Sequence, residues 1–294
     1  MSVAVVVLIV AIVASSAAYA LSSSRRIGAD VIDPAEPMGW LVRHVRRWPK
    51  VARFVRERLD RSTATGFLVT VSFVVVAGTA LVVGSVLDMV TRHTGFADWD
   101  SHIAQWGADH TTSASTRVLE DVTKLGSTVT VMAVTAAVGL VSWIRRRDPN
   151  VPLFLAAVVV GQWALSNGIK WIVRRDRPLV PHLVSATGSS FPSGHSTAAA
   201  ATWAAIALVV GRPWSRAARA ALAGGATLVA IGVATSRALL GVHWLTDVIA
   251  GVVLGWGWFT LVAVAFGGRR MRFGRPAEAV AGRELPATPS EVRT

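Results

Sequence analysis

Residues 189–210 read SSFPSGHSTAAAATWAAIALVV. From His195 the run to residue 211 is almost wholly small or apolar, and about 17–25 such residues cross a bilayer. A proline, a serine, a glycine and a histidine stand at its mouth. A titratable ring at the lip of a span is costly without a partner, so its presence there asks for a use. Ser193 suits a helix N-cap, and the free N–H groups of the first turn, at the positive end of the helix dipole, form an anion site.

Working outward, apolar runs of similar length recur at about 3–21, 66–90, 127–144, 151–170, 218–236 and 244–266, which predicts seven membrane helices in all. The whole chain agrees. It is 52% hydrophobic and 16% charged, with mean hydropathy +0.50, the composition of a multi-spanning membrane protein. The Val, Ala and Leu runs give a helical bundle, since the roughly ten-residue alternation of a membrane barrel is absent. With no cysteine in 294 residues, disulfides, thiolate ligands and cysteine nucleophiles are excluded.

The net charge of +13 could point to nucleic acid, but its placement argues otherwise. Residues 22–65 carry ten Lys or Arg, the 144–150 turn three, the 211–219 turn three and the stretch after 267 six, so 22 of 30 cations lie on alternate loops. That is the positive-inside pattern, and no nucleic-acid partner is expected. It puts the N-terminus outside, the C-terminus in the cytoplasm, and the 91–126, 171–194 and 237–243 segments outside the plasma membrane. Residues 1–21 end in AYA, like a cleavage site, yet lack a basic n-region, so they read as an uncleaved reverse anchor. The 40–61 part of the basic segment has the makings of an amphipathic helix on anionic lipid.

Five cations break the pattern: Lys170, Arg174, Arg175, Arg177 and Arg237 sit at the outer ends of spans. Snorkelling accounts for one such residue, but poorly for five. They fall in two of three patches on this face. In KWIVRRDRP, Lys170 and Arg177 stand about two helical turns apart, on one face of a helix that Pro178 ends. FPSGH, with Ser193, Gly194 and His195, opens the next helix. In SRALLGVHWLTD, Arg237 closes a span, and His243 and Asp247 stack at i and i+4. Together they supply cations, backbone donors, two imidazoles and a carboxylate, which are the needs of phosphoryl transfer: charge stabilisation over three oxygens, an in-line nucleophile and an acid. Asp247 can hold one ring nitrogen of His243 and leave the other to attack, so His243 reads as nucleophile and His195 as acid.

The order K-x6-RP, PSGH, SR-x5-H-x3-D resembles the type-2 phosphatidic acid phosphatase superfamily, which includes lipid phosphate phosphatases, bacterial acid phosphatases and vanadium haloperoxidases. Lys170–Pro178, Pro192–His195 and Ser236–Asp247 carry the resemblance. It implies an all-α, six-helix phosphatase core over residues 66–266. Residues 1–65 then form an extra N-terminal transmembrane helix with a basic cytoplasmic segment, and 267–294 a tail expected to be disordered. It also implies hydrolysis through a phosphohistidine, with no cofactor and no metal. Carried over by motif, His243 is the nucleophile, Asp247 its partner and His195 the acid, while Lys170, Arg177, Ser193, Gly194 and Arg237 hold the phosphate. The expected partner is a membrane lipid bearing a phosphate or diphosphate: phosphatidic acid, phosphatidylglycerophosphate or, the favoured choice, a polyprenyl diphosphate. A vanadate-dependent haloperoxidase-like enzyme and an anion or phospholipid transporter are the alternatives. The transporter has no need of two histidines with a carboxylate.

Other features have plainer readings. Gly251 and Gly255 form a small-xxx-small pair for packing inside the bundle. Trp171 and Trp244 fit an aromatic belt. His93, His102 and His110 read as solvated residues of an external helix rather than a metal site. Asp98 and Asp100 read as caps of that helix, with a place near the site entrance as the alternative, and His182 as a loop residue, with reach to the phosphate as the lesser reading.

Overall fold

A computed structural model of the chain describes residues 64–147 and 149–269, with side chains at 71–147 and 149–266. The first candidate span, most of the basic segment and most of the tail lie outside the described residues. Eight α-helices run in order through the described part: α1 Ala64–Arg92, α2 Asp100–His110, α3 Ser113–Lys124, α4 Thr128–Arg146, α5 Asn150–Val173, α6 Gly194–Gly211, α7 Arg216–Leu239 and α8 Leu245–Arg269. A 3-10 turn, Gly95–Trp99, joins α1 to α2. Six of them, all but α2 and α3, are long and apolar enough to cross a membrane. The polytopic all-α bundle expected from hydropathy is the architecture found.

The opening stretch forms the hub. α6 packs against α4, α5, α7 and α8, and Ala199, Ala200, Ala201 and Ala205 are fully buried along it. Small side chains are what allow this, because in lipid the closeness of helix approach, and not hydrophobicity, drives association. Gly251 and Gly255 of α8 complete the fit. A Cβ on Gly255 would stand 2.5 Å from the Thr197 carbonyl oxygen, and one on Gly251 would stand 2.7 Å from that of Ser193. The glycine pair therefore seats α8 on α6 within the bundle, as its spacing predicts. Large apolar side chains turn the other way: Phe73, Leu81, Val129 and Trp163 are all more than half exposed, the surface a bilayer would cover.

One end of the bundle holds the termini of α5 and α7 and the starts of α6 and α8. The 91–126 segment folds over this same end, and it differs from the single solvated helix expected. It makes a turn and two helices, with α2 against α7 and α8 and α3 against α7. Asp100, Ala104, Leu119 and Thr123 are buried there. The turn after α3 is clamped in place: Trp203 Nε1 donates to the Leu125 carbonyl at 3.0 Å, and a Cβ on Gly126 would meet the His195 carbonyl oxygen at 2.7 Å.

α5 also ends earlier than its sequence suggests. It stops at Val173, with Arg174 in the left-handed region at φ 50° as C-cap, so Lys170 and Arg177 do not share a helix face. On a continued helix Arg175 and Arg177 would point roughly 200° apart. Leaving the helix lets both turn toward the start of α8.

Candidate active site

Each patch reaches this end by its own local logic. Ser193 caps α6, with its Oγ accepting from Ser196 N at 3.4 Å. Its own N–H donates to the Asp247 carbonyl at 3.0 Å, which ties the mouth of α6 to the first turn of α8. Among the described residues the N–H groups of Gly194 and His195 have no hydrogen-bond partner, so two first-turn donors remain open at the helix's positive end.

Lys170 and Arg177 converge on one loop despite the early helix end. Lys170 Nζ donates to the Ser189 carbonyl at 2.6 Å. Arg177 Nη2 donates to the carbonyls of Thr187 at 2.8 Å and Ser189 at 3.4 Å, and its Nε to that of Gly188 at 3.1 Å. Its Nη1 reaches across to the Val242 carbonyl at 2.6 Å and lies 3.3 Å from Nε2 of His243. The guanidinium thus laces the 187–189 loop to the turn before α8.

His243 is 3% exposed. Its Nδ1 lies 3.4 Å from Oδ2 of Asp247. Asp247 occupies the third position of α8, and the same oxygen accepts Trp244 N at 3.0 Å, the reach-back of a capping box. Burial pushes the His243 imidazole from its ordinary 6.5 down to about 4, against the opposing pull of Asp247, because desolvation penalises the charged form. The ring is neutral at neutral pH.

Arg237 is buried in α7. Its Nη1 lies 3.5 Å from Thr123 Oγ1, while its Nε, also buried, has no partner. An orphaned guanidinium N–H is costly, and a phosphate oxygen would satisfy it. His195, at the mouth of α6, stands within electrostatic reach of Arg237, His243, Lys170 and Arg177. No hydrogen bond to its ring exists among the described residues. All the motif side chains therefore meet at one place: three cations, two open N–H groups, one oriented imidazole and one unencumbered imidazole. A 260 Å³ hollow lies against Lys170, Arg174, Arg175, Arg177 and Ser189, on the α5 side of the cluster; His195, Arg237 and His243 do not line it.

Sequence reasoning missed part of the surroundings. Asp100 caps nothing in its own helix. It crosses to α8, where Oδ1 accepts Thr246 N at 2.9 Å and Oδ2 accepts Thr246 Oγ1 at 2.6 Å, and it pairs with Arg175 at 2.7 Å. Arg175 in turn pairs with Asp247 at 2.6 Å and lies over the Trp244 ring at 5.3 Å, so Trp244 belongs to this network rather than to a free aromatic belt. Arg175 had one signal, a cation at a span end away from the cationic turns. Asp100 belongs to the disfavoured reading, a place near the site, and the favoured cap is corrected; Thr123 had no signal. Elsewhere, His182 Nε2 lies 3.0 Å from the Pro178 carbonyl oxygen, and His110 stacks on Trp106 at 4.8 Å.

The family model described as the PAP2 superfamily matches residues 152–271. The phosphatidylglycerophosphatase B of Bacillus subtilis (strain 168) is 34% identical over 149 residues, which cover 49% of this chain and 72% of that protein. The lipid A 1-phosphatase of Rhizobium etli is 36% identical over 132 residues, 42% of this chain; the match spans half the length of that relative. Among solved structures, that of a transmembrane PAP2-type phosphatidylglycerolphosphate phosphatase from Bacillus subtilis superposes with TM-score 0.62 at 28% identity, covering 67% of this chain and 98% of that one.

Proposed function

The chain belongs to the PAP2 superfamily, and we propose that it hydrolyses the phosphate or diphosphate of a membrane lipid through a covalent phosphohistidine. The observation that carries this reading is the environment of His243: a buried, neutral ring held through Nδ1 by Asp247, with Nε2 facing a cluster of cations.

The chemistry follows from those positions. The phosphoryl group lies among Lys170, Arg177, Arg237 and the N–H groups of Gly194 and His195, which take up the charge spread over its equatorial oxygens. Nε2 of His243 attacks phosphorus while the bond to the leaving oxygen breaks, and His195 gives that oxygen its proton. Asp247 stabilises the positive charge on the phosphorylated ring, accepting from Nδ1. In the second half His195 takes a proton from water, whose oxygen attacks phosphorus, and the nitrogen–phosphorus bond breaks to release inorganic phosphate. Ser193 keeps the open N–H groups in register by capping α6. No step needs a metal or a cofactor.

The substrate's place in the membrane is supported by charge. The turns at the far end of the bundle carry Arg145, Arg146, Arg147, Arg212, Arg216 and Arg219, and cationic turns face the cytoplasm. The cluster then opens at the outer leaflet, where a lipid phosphate lies at head-group depth. Trp171, Ile172 and Leu179, at 73%, 73% and 99% exposure, offer an apolar margin for the lipid's chains. A polyprenyl diphosphate, an amphiphile whose phosphate lies at that depth, is the substrate we favour.

Purified protein in detergent, given polyprenyl diphosphate, phosphatidylglycerophosphate and phosphatidic acid in parallel with a chelator present, tests this. Chelator-resistant phosphate release, with kcat/KM highest for the polyprenyl diphosphate, is expected. Equal rates on a soluble aryl phosphate would count against a lipid substrate.

A further inference from the structure

Behind Asp247 lies a line of alternating charge that the phosphate chemistry does not touch. The Asp247 carboxylate has divided duties: Oδ2 faces His243 Nδ1 and Trp244 N, and Oδ1 accepts Arg175 Nη1 at 2.6 Å. The second Nη of Arg175 is taken by Asp100 at 2.7 Å. Thr246 joins both ends, because its Oγ1 donates to Asp100 and accepts from Arg175 at 2.7 Å. The Arg175 and Asp100 side chains are 16% and 5% exposed. Asp100 stands in the α1–α4 connection, outside the 152–271 segment that carries the family match.

A carboxylate held only through one oxygen can tilt, and a tilt of Oδ2 would release the ring it aligns. Arg175 removes that freedom by holding the other oxygen. Left with a single anion, the arginine would draw Asp247 toward a two-oxygen fork and away from His243, since that geometry is its strongest pairing. Asp100 occupies the other half of the fork and also caps α8 through Thr246 N, so the arginine is shared.

We propose that Asp100 and Arg175 are positioning residues for the nucleophile: together they hold the Asp247 carboxylate in the orientation that aligns His243. This rests on the reading of His243 as the attacking group. The same arrangement joins an external helix to the catalytic helix, so that the seat of α2 bears on turnover.

The test is a mutant cycle on the full chain, read by phosphate release from a lipid phosphate and by inhibition with inorganic phosphate. Asp100→Asn keeps the acceptor for Thr246 N and removes the charge. It should lower kcat about tenfold to a hundredfold, by analogy with the loss of a partner that orients a metal-bound histidine. KM and the inorganic phosphate inhibition constant should stay within about twofold of wild type, since neither residue touches phosphate. In an Asp247→Asn background the same change should cost less than a further factor of about two, because its route is already cut. Wild-type kcat in Asp100→Asn, or its full loss repeated on top of Asp247→Asn, would overturn the proposal. Arg175→Lys carries the same cycle if Asp100→Asn does not yield folded protein; failure of both to fold would also overturn it, by making the pair structural. His243→Ala separates the two readings. Retained turnover there sinks the nucleophile assignment itself, whereas an inactive His243→Ala beside a fully active Asp100→Asn sinks only the positioning role.

Discussion

Arg177 presents Nη1 to Nε2 of His243 at 3.3 Å. A guanidinium has donors only, so this contact leaves Nε2 with its lone pair and assigns the ring proton to Nδ1, on the side of Asp247. In the proposed reading the arginine that binds phosphate thereby also selects the tautomer suited to attack. An Arg177→Lys variant keeps a positive charge but loses the fixed fork that spans Thr187, Ser189 and Val242. It should lose about a hundredfold or more in kcat/KM, as expected where a bidentate arginine is replaced by a point charge, checked by steady-state phosphate release.

The buried His243 ring gives a pH signature. Attack needs the neutral form, and burial has moved its pKa to about 4. At pH 5 about nine-tenths of the rings would still be neutral, against about 3% for a histidine at its ordinary value. The acid-side downturn of log kcat/KM that protonation of His243 imposes, corrected for the substrate's own ionisation, should therefore be centred near 4, while the limb at higher pH belongs to the proton donor His195. An acid-side downturn centred at 6.5 would contradict this environment.

No hydrogen bond holds the His195 ring for attack among the described residues, and the proposed reading gives it proton donation. In His195→Ala, a substrate with a good leaving group should be rescued far more than a lipid phosphate, because only the second needs its leaving oxygen protonated. Equal losses on both would undo the assignment.

Arg237 Nε is buried and without a partner, so a bound anion has an unmet donor to satisfy. Inorganic phosphate at about a hundred times its dissociation constant should stabilise the wild-type fold by about 2.7 kcal/mol, seen as a rise in Tm in detergent. Arg237→Gln should show little of that rise at the same phosphate concentration.

The glycine seat between α6 and α8 can be tested apart from the chemistry. Adding a Cβ at Gly251 places it 2.7 Å from the Ser193 carbonyl oxygen and 3.0 Å from Ser196 Cβ. Gly251→Ala should cost about 1–3 kcal/mol through overpacking and weaken phosphate inhibition by displacing the α6 cap. Gly225→Ala, where a Cβ meets nothing within 4 Å, is the control expected to do neither.

The sequence made the six described spans and the site's chemical cast legible for one reason: both are written in charge and apolar length along the chain. Lys170, Arg177 and Arg237 stood out because they lie at span ends away from the four cation-rich loops, and Ser193 because a cap is a local device. What hid was tertiary pairing. Asp100 lies 75 residues from Arg175 and 146 from Thr246, and an acidic residue opening a helix looks locally like any other cap. The stop of α5 at Val173 was equally hidden, since Pro178 marks a later end and the earlier one depends on where Arg175 and Arg177 find partners.

The central claim is that phosphate passes through His243. Purified enzyme given substrate labelled in the scissile phosphate, quenched in alkali and digested, should carry acid-labile, alkali-stable label on the peptide holding His243. His243→Ala should carry none and release no phosphate. Label on another residue, or phosphate release by His243→Ala at the wild-type rate, would contradict the account.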